Sequence, residues 1–213
     1  MDLTEYGNYL IGNYADPPVA FVRGEGVRIW DDEGNAYLDF SSGIAVTCLG
    51  HSHPKWVSAV QKQAAKLVHC TNLFAIPEQA RLAERLTKKA GPGRMLFCNS
   101  GAEANEALIK LARLYGCAKA GGEEGKIVKI VTAEGGFHGR TYGAMSATSG
   151  AKIRSGFAPL APGFAFATFN ELASFEALLD EDTAAVLIEP IQGEGGIRET
   201  SDDVLRGIRQ LCD

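Results

Sequence analysis

Apolar runs alternate with helical repeats from Met95 onward, and this alternation constrains the fold of the 213-residue chain more than any other feature. Apolar residues at helical spacing predict a long helix after Ser100 that ends near Gly121, and a shorter one around Phe175. Four runs are predicted as strands: Met95–Cys98, Ile127–Val131, Phe164–Phe169 and Ala184–Ile188. Apolar strands that alternate with helices indicate an α/β fold with a mostly parallel sheet, flanked by helices on both faces.

The N-terminal part of the sequence predicts a β-hairpin followed by two helices. Two short runs, Val27–Trp30 and Ala36–Phe40, flank the Gly-containing segment Asp31–Asn35, and this pattern predicts a β-hairpin. Pro54 and Pro77 each precede apolar residues at helical spacing, so we expect a helix to begin at each proline.

The last helical pattern stops at the end of the chain. Ser201 can cap a helix that contains Val204, Ile208 and Leu211, but no Gly or Pro follows before Asp213. A helix of this kind is expected to lead into a further strand of a parallel sheet. The sequence therefore predicts a chain that is truncated partway through an α/β domain.

Composition narrows the class of ligand. The net charge is −5 and no block of Lys or Arg stands out, which argues against nucleic acid or an anionic membrane as the main partner. No apolar run reaches the roughly 18 residues of a membrane helix, and Met1–Glu5 has no features of a targeting segment. Five cysteines without Cys-x-x-Cys spacing fit buried thiols in a reducing compartment. We therefore expect a cytoplasmic protein with a small-molecule ligand.

The Asn99–Gly101 turn is the first candidate site. A predicted strand ends there and a helix begins at once, so that the N–H groups of Gly101 and Ala102 and the hydroxyl of Ser100 converge at a helix N-terminus. Unpaired N–H groups and the helix dipole both favour an anion such as a phosphate. A plain serine cap explains the same residues equally well. No Gly-Lys-Ser/Thr follows, so this is not a Walker loop.

The segment Gly135–Thr141 follows the next predicted strand. Phe137 offers a face for a planar ring, and Arg140 offers a bidentate fork for a carboxylate. The alternatives are a core aromatic residue and a surface charge. His138 is either an acid–base group or, as is commoner beside glycine, a structural hydrogen bonder. Because ligands bind beyond the carboxyl ends of parallel strands, this loop and the Ser100 turn are expected to open onto one crevice.

The segment Ile188–Gly196 is the third candidate. Glu189, Gln192 and Glu194 lie among glycines after a predicted buried strand, where they suit recognition of polar or cationic groups. A glycosidase pair is disfavoured, because both carboxylates lie on one short loop. His51-Ser52-His53 lacks a third ligand at a useful spacing, so no metal site is predicted.

Taken together, these motifs resemble those of the class III pyridoxal-phosphate aminotransferases, and in particular the acetylornithine/ornithine branch. The resemblance extends over essentially the whole chain and rests on these segments: Gly24-Glu25-Gly26, Trp30-Asp31, Tyr37 to Phe40, Gly50 to Pro54, Asn72-Leu73-Phe74, Asn99 to Glu106, Phe137 to Thr141 and Glu189 to Gly196. It implies the fold-type-I (aspartate aminotransferase-like) architecture, truncated before the end of the large domain. Residues 1–55 then belong to the small domain and residues 56–213 form the first part of the large, cofactor-binding domain.

The resemblance also implies roles for individual residues. Ser100, Gly101 and Ala102 hold the phosphate of pyridoxal 5'-phosphate, and Phe137 stacks on its ring. The other implied contacts are His138, Glu189 and Gln192 on the cofactor side and Arg140, Tyr14 and Glu194 on the substrate side. In this reading Arg140 and Tyr14 hold the α-carboxylate, and Glu194 is a switch carboxylate that pairs with a later arginine.

The resemblance implies a transamination between N-acetylornithine and 2-oxoglutarate in a homodimer. The lysine that forms the Schiff base and the Asp that binds the pyridine nitrogen are expected beyond Asp213, so no catalytic residue is assigned within this chain. Ornithine, succinylornithine and 4-aminobutyrate stay open as amino donors, because Ala75 and Tyr142 depart from many acetylornithine enzymes. An inactive module that binds a phosphate ligand or dimerises is the alternative of another class.

Overall fold

The computed structural model describes residues 6–213, which divide into two compact units, one that ends at Leu82 and one that spans Ala83–Asp213. The strands are β1 (Phe21–Glu25), β2 (Arg28–Asp31), β3 (Ala36–Leu38), β4 (Lys129–Ala133), β5 (Phe164–Ala167), β6 (Thr183–Leu187), β7 (Ile191–Gln192) and β8 (Arg198–Glu199). The helices are α1 (Pro54–Ala64), α2 (Pro77–Ala90), α3 (Gly101–Lys119), α4 (Tyr142–Ala147), α5 (Ala151–Arg154), α6 (Leu172–Leu178) and α7 (Asp202–Cys212). A further turn, Ser42–Ala45, has left-handed dihedral angles.

The first unit contains the predicted hairpin, extended by one strand. Strands β1, β2 and β3 pair antiparallel in that order. The turn between β2 and β3 is held by the carboxylate of Asp31, which accepts hydrogen bonds from the N–H and side-chain amide of Asn35 at 2.7 and 3.0 Å. Strand β1 was not predicted, since Gly24 interrupts its pattern. Only glycine fits there, because a Cβ atom would lie 2.6 Å from the ring of His51.

The helices predicted at the two prolines are confirmed. Helix α1 begins at Pro54 and α2 begins at Pro77, where a residue without an N–H costs no helical hydrogen bond. Helix α2 ends at Ala90, and Gly91 then adopts a φ of 103° that favours glycine.

The second unit is built on a parallel sheet, as predicted. Strand β4 lies in the centre and pairs parallel with β5 and with β6. Alternate β4 side chains enter opposite cores, since successive strand residues point to opposite faces. Ile130 packs with Ile109 of α3, whereas Val131 packs with Phe175 of α6 and Ile208 of α7. Helices therefore cover both faces of the sheet.

The strand predicted at Met95–Cys98 is wrong, because this segment has no regular secondary structure and pairs with no strand of the described residues. A strand requires a neighbour, and within residues 6–213 none pairs with this run; Leu96 is 74% exposed. The thiols are free, but the expectation that they are buried fails for Cys48, Cys98 and Cys212, which are exposed. Across residues 6–213 every helix is too short or too polar to cross a membrane. The cytoplasmic location stays a prediction.

Candidate active site

The Ser100 turn is a capped helix N-terminus with unused donors. Ser100 has extended dihedral angles, and its Oγ accepts a hydrogen bond of 3.1 Å from the N–H of Glu103. The carboxylate of Glu103 reaches back to the N–H of Asn99 at 2.5 Å. Within the described residues, the N–H groups of Gly101 and Ala102 have no partner. The turn is therefore both the plain serine cap and an available anion site.

The loop after β4 lies against the start of α3. Gly139 has a φ of 133°, and a Cβ atom there would lie 2.8 Å from Cβ of Ala102. The side-chain amide of Asn105 donates a hydrogen bond of 2.7 Å to the carbonyl oxygen of His138. These two contacts bring the first two candidate segments together, although Met95–Cys98 forms no strand of the sheet among the described residues.

The loop after β6 joins the loop after β4. Oε2 of Glu189 accepts a hydrogen bond of 2.9 Å from the N–H of Phe137. Burial raises the pKa of Glu189 above its ordinary value, and the negative charge of Glu194 adds to this effect. Hydrogen bonds from the N–H groups of Phe137 and Gly193 oppose the rise without cancelling it. All three predicted segments thus converge at the carboxyl ends of β4 and β6.

His138 is buried, with 4% of its surface exposed. Its backbone N–H donates to Oγ1 of Thr148 at 3.0 Å, while its ring Nε2 is buried without a partner among the described residues. A Cβ atom on Gly136 would lie 3.2 Å both from this Nε2 and from Oε2 of Glu189. Burial lowers the pKa of the imidazole, so His138 is neutral at neutral pH.

Gln192 is buried between the loop after β4 and the loop after β6. It is fully buried; its Nε2 donates to the carbonyl oxygen of Glu134 at 2.9 Å, and its Oε1 accepts from Arg198 at 2.8 Å. The guanidinium of Arg198 also stacks over Phe169, 4.6 Å from the ring centroid. Both polar ends of Gln192 are thus already engaged with the protein.

Arg140 and Glu194 have the exposure expected of ligand-binding groups. Arg140 is exposed, and its guanidinium carbon lies 5.7 Å from the ring centroid of Phe137, which is half-buried. Within residues 6–213 Arg140 makes no ion pair. Glu194 is exposed as well. Tyr14 belongs to the first compact unit, where it is 81% exposed, and its role stays a prediction.

Sequence reasoning missed Glu106 and Asn105 as residues that shape this site. Oε1 of Glu106 accepts hydrogen bonds from the N–H groups of Gly143 and Ala144 at 2.8 and 3.0 Å. A signal was available, because Glu106 lies four residues after Ala102, on the same face of α3. An acidic residue on a packed helix face requires a partner.

His51 pairs with an aspartate of the first unit. Nε2 of His51 lies 2.7 Å from the carboxylate of Asp39, and within residues 6–213 no three potential metal ligands cluster. The hydrogen bond to His51 is the largest of the contacts that lower the pKa of Asp39 to about 2.

The class of the protein follows from its similarity to known families. The model of the family "Aminotransferase class-III" matches residues 11–213. The chain belongs to the class III aminotransferases. It is 46% identical over 211 residues to the acetylornithine aminotransferase of Caldanaerobacter subterraneus subsp. tengcongensis, an alignment that covers 99% of this chain and 53% of the relative. The chain therefore spans about half the length of the curated relatives it matches.

Solved structures of class III aminotransferases share the fold. An ornithine aminotransferase from Toxoplasma gondii, described with partial occupancy of PLP at its active site, matches with a TM-score of 0.89 at 31% identity. The alignment covers 98% of this chain and 49% of the Toxoplasma gondii enzyme. The N-acetylornithine aminotransferase of Stenotrophomonas maltophilia matches with a TM-score of 0.77 at 36% identity, over 98% of this chain and 50% of that one. The predicted fold-type-I architecture is confirmed.

The cofactor of the class III aminotransferases is pyridoxal phosphate, and the residues present fit it. A Cβ atom on Gly101 would meet no atom within 4 Å, so an anion has open access to the unpaired N–H groups of the α3 N-terminus. The half-buried ring of Phe137 lies on the adjoining loop. A phosphate site beside an aromatic face matches the two chemical parts of this cofactor.

Proposed function

We propose that the protein containing this chain is an N-acetylornithine aminotransferase. It transfers the δ-amino group of N-acetylornithine to 2-oxoglutarate and yields N-acetylglutamate 5-semialdehyde and glutamate. The observation that carries the proposal is the convergence of the three loops at the carboxyl edge of the sheet, in a chain 46% identical to an enzyme of that name.

The phosphate end is assigned to α3. The N–H groups of Gly101 and Ala102 bind phosphate oxygens, and the positive end of the helix dipole adds to their attraction. Ser100 accepts one hydrogen bond from Glu103 with an Oγ lone pair, so its hydroxyl proton is available to a third phosphate oxygen.

The ring and its reaction are assigned to the loops after β4 and β6. When bound, pyridoxal phosphate supplies an electrophilic aldehyde and a ring that withdraws electrons from the reacting carbon. Phe137 covers one face of the ring, and its bond to Glu189 fixes the loop that carries it. His138, held neutral by burial, lines the cofactor side with Glu189, while Gln192 fixes the two loops to each other.

The substrate end is assigned to Arg140 and Tyr14. The exposed guanidinium of Arg140 binds the α-carboxylate of N-acetylornithine or of glutamate through two parallel hydrogen bonds. Glu194 provides a carboxylate that pairs with an arginine from a later part of the polypeptide and thereby switches between the two substrates.

The cofactor-linking lysine and the aspartate at the pyridine nitrogen are proposed to lie outside the 213 residues. The assembly is proposed to be a homodimer, with residues 1–55 in a small domain and residues 56–213 in the large domain. Borohydride reduction of the purified 213-residue chain after mixing with pyridoxal phosphate tests the first point. A stable adduct on one lysine of residues 1–213 would contradict it.

The amino donor is tested by kinetics on the full-length protein. We expect kcat/KM with 2-oxoglutarate to be highest for N-acetylornithine among N-acetylornithine, ornithine, succinylornithine and 4-aminobutyrate. Ornithine is the second candidate, because the Toxoplasma gondii structure that matches is an ornithine aminotransferase. No turnover of any of the four would favour a binding module instead.

A further inference from the structure

Two adjacent residues of α3 hold the loop that carries Arg140. Asn105 donates a hydrogen bond of 2.7 Å to the carbonyl oxygen of His138, two residues before Arg140. Glu106 accepts bonds of 2.8 and 3.0 Å from the N–H groups of Gly143 and Ala144, three and four residues after it. We call Asn105 and Glu106 the α3 clamp.

The loop approaches the clamp as closely as its backbone allows. A Cβ atom on Gly143 would lie 2.5 Å from Oε2 of Glu106. A Cβ atom on Gly139 would lie 2.8 Å from Cβ of Ala102, one turn before Glu106. A side chain at Gly139 would therefore push the loop away from α3, and one at Gly143 would displace either the loop or the carboxylate of Glu106.

The negative charge of Glu106 strengthens its hydrogen bonds to the loop. Glu106 is half-buried, and burial by itself raises its pKa. Hydrogen bonds from Thr141 and from the N–H groups of Ala144 and Gly143 outweigh burial, so that the pKa lies below its ordinary value. The carboxylate is therefore charged at neutral pH, where it satisfies N–H groups in the first turn of α4 that have no partner within that helix.

We propose that Asn105 and Glu106 are positioning residues that set the guanidinium of Arg140 for recognition of the substrate α-carboxylate. This inference rests on the proposed function, in which Arg140 binds that carboxylate. A bidentate arginine–carboxylate pair tolerates little displacement, and Arg140 makes no ion pair of its own within the described residues. Its placement therefore depends on the backbone that the clamp holds. Because the clamp belongs to α3, the carboxylate site and the phosphate site share one rigid helix.

The test compares two amines in the full-length holoenzyme. N-acetylornithine and N-acetylputrescine carry the same reacting amine, but only the first has an α-carboxylate. Glu106→Ala is expected to lower the ratio of their kcat/KM values about tenfold, chiefly through KM for N-acetylornithine. Glu106→Gln keeps an acceptor oxygen and is expected to lower the ratio only about threefold. The exposed Glu176→Ala of α6 serves as the matched control and leaves the ratio unchanged.

A binding measurement separates positioning from general damage. The affinity of the apoenzyme for pyridoxal phosphate, titrated by absorbance, is expected to change less than about threefold in Glu106→Ala. Loss of cofactor binding or of the folded state in both Glu106 variants would overturn the proposal, because the clamp would then hold the whole site.

A double-mutant cycle tests the route through Arg140. Arg140→Ala removes the guanidinium. Adding Glu106→Ala to that variant is expected to lower the ratio of kcat/KM for N-acetylornithine to that for N-acetylputrescine no further. Full additivity of the two effects would contradict the clamp. A lowered ratio in Arg140→Ala with an unchanged ratio in Glu106→Ala would overturn the clamp alone. An unchanged ratio in Arg140→Ala would overturn the assignment of Arg140 itself.

Discussion

The backbone N–H of Phe137 donates a hydrogen bond of 2.9 Å to Oε2 of Glu189. These residues follow two neighbouring parallel strands, β4 and β6, so the bond ties together the ends of both strands. It directs a carboxylate into the loop rather than toward solvent, and burial there raises the pKa of that carboxylate. The backbone of Phe137 is therefore held by an acidic residue 52 positions later in the chain.

Ser100→Ala is expected to weaken pyridoxal phosphate binding about tenfold, because a hydrogen bond to a charged phosphate is lost. Affinity for pyridoxal, which lacks the phosphate, is expected to remain unchanged. Absorbance titration of the apoenzyme with both compounds measures the difference. Ser201→Ala is the matched control, since Ser201 also caps a helix by accepting from the N–H of Val204. Equal effects of the two variants on phosphate-dependent affinity would contradict the assignment of Ser100.

Gly139→Ala is expected to displace the loop from α3, because its Cβ atom would lie 2.8 Å from that of Ala102. We expect a loss of about 1–3 kcal/mol of stability from overpacking, together with weaker cofactor binding. Gly156→Ala is the control for the cost of placing alanine at a positive φ. Gly156 also has a positive φ, but a Cβ atom there would have no atom within 4 Å. Thermal unfolding and cofactor titration of both variants provide the comparison. Unaltered cofactor affinity in Gly139→Ala would show that the close approach to Ala102 is dispensable.

Glu189→Gln is expected to alter the pH dependence of stability. The pKa of Glu189 is raised in the folded state, so its favourable contribution is present below the ordinary value and is lost as pH rises through the raised one. Glutamine does not titrate and still offers Phe137 an oxygen. The melting temperature of the variant, relative to that of the wild type, should therefore rise as the pH increases from the ordinary pKa of a glutamate through the raised pKa of Glu189.

The control for that experiment is Glu176→Gln, which removes a carboxylate from an exposed position on α6. Thermal melts of the apo-proteins across the same pH range give the comparison. A difference between Glu189→Gln and wild type that stays constant with pH would refute the role of burial at Glu189.

Asp39→Asn is expected to destabilise the protein at neutral pH and to have less effect in acid. The hydrogen bond to His51, with those to Ser41 and Ser42, lowers the pKa of Asp39 from 3.8 to about 2. The stabilisation is present above the ordinary value and is lost as pH falls through the lowered one. Melting temperatures of wild type and variant should converge toward that lower pH. Asp16→Asn, at an exposed position of the same unit, is the control.

Local signals were sufficient for most of the fold. Pro54 and Pro77 marked helix starts and Ser100 marked a cap because each residue acts on its own turn. Met95–Cys98 failed because an apolar run becomes a strand only if another strand pairs with it, and its own residues do not carry that information. Strand β4 begins at Lys129 rather than at the predicted Ile127. Just before and at this start, the N–H groups of Val128 and Lys129 both donate to the carbonyl oxygen of Asp182.

The location of the candidate site could be predicted from the sequence, but the hydrogen bonds that hold its loops could not. Parallel topology places the loops with Phe137 and Glu189 at one edge, and that inference needs only the order of the strands. The hydrogen bonds that Gln192 and Glu106 make depend on tertiary placement, and several of their partners are backbone atoms, which carry no residue identity. A polar side chain on a packed face indicates that a partner exists without indicating which one.

The structure of the full-length protein with pyridoxal phosphate tests the central claim most directly. We predict that the phosphate lies within hydrogen-bonding distance of the N–H groups of Gly101 and Ala102, with the ring of Phe137 parallel to the pyridine ring. A phosphate bound away from the N-terminus of α3, or a pyridine ring that does not contact Phe137, would contradict the account.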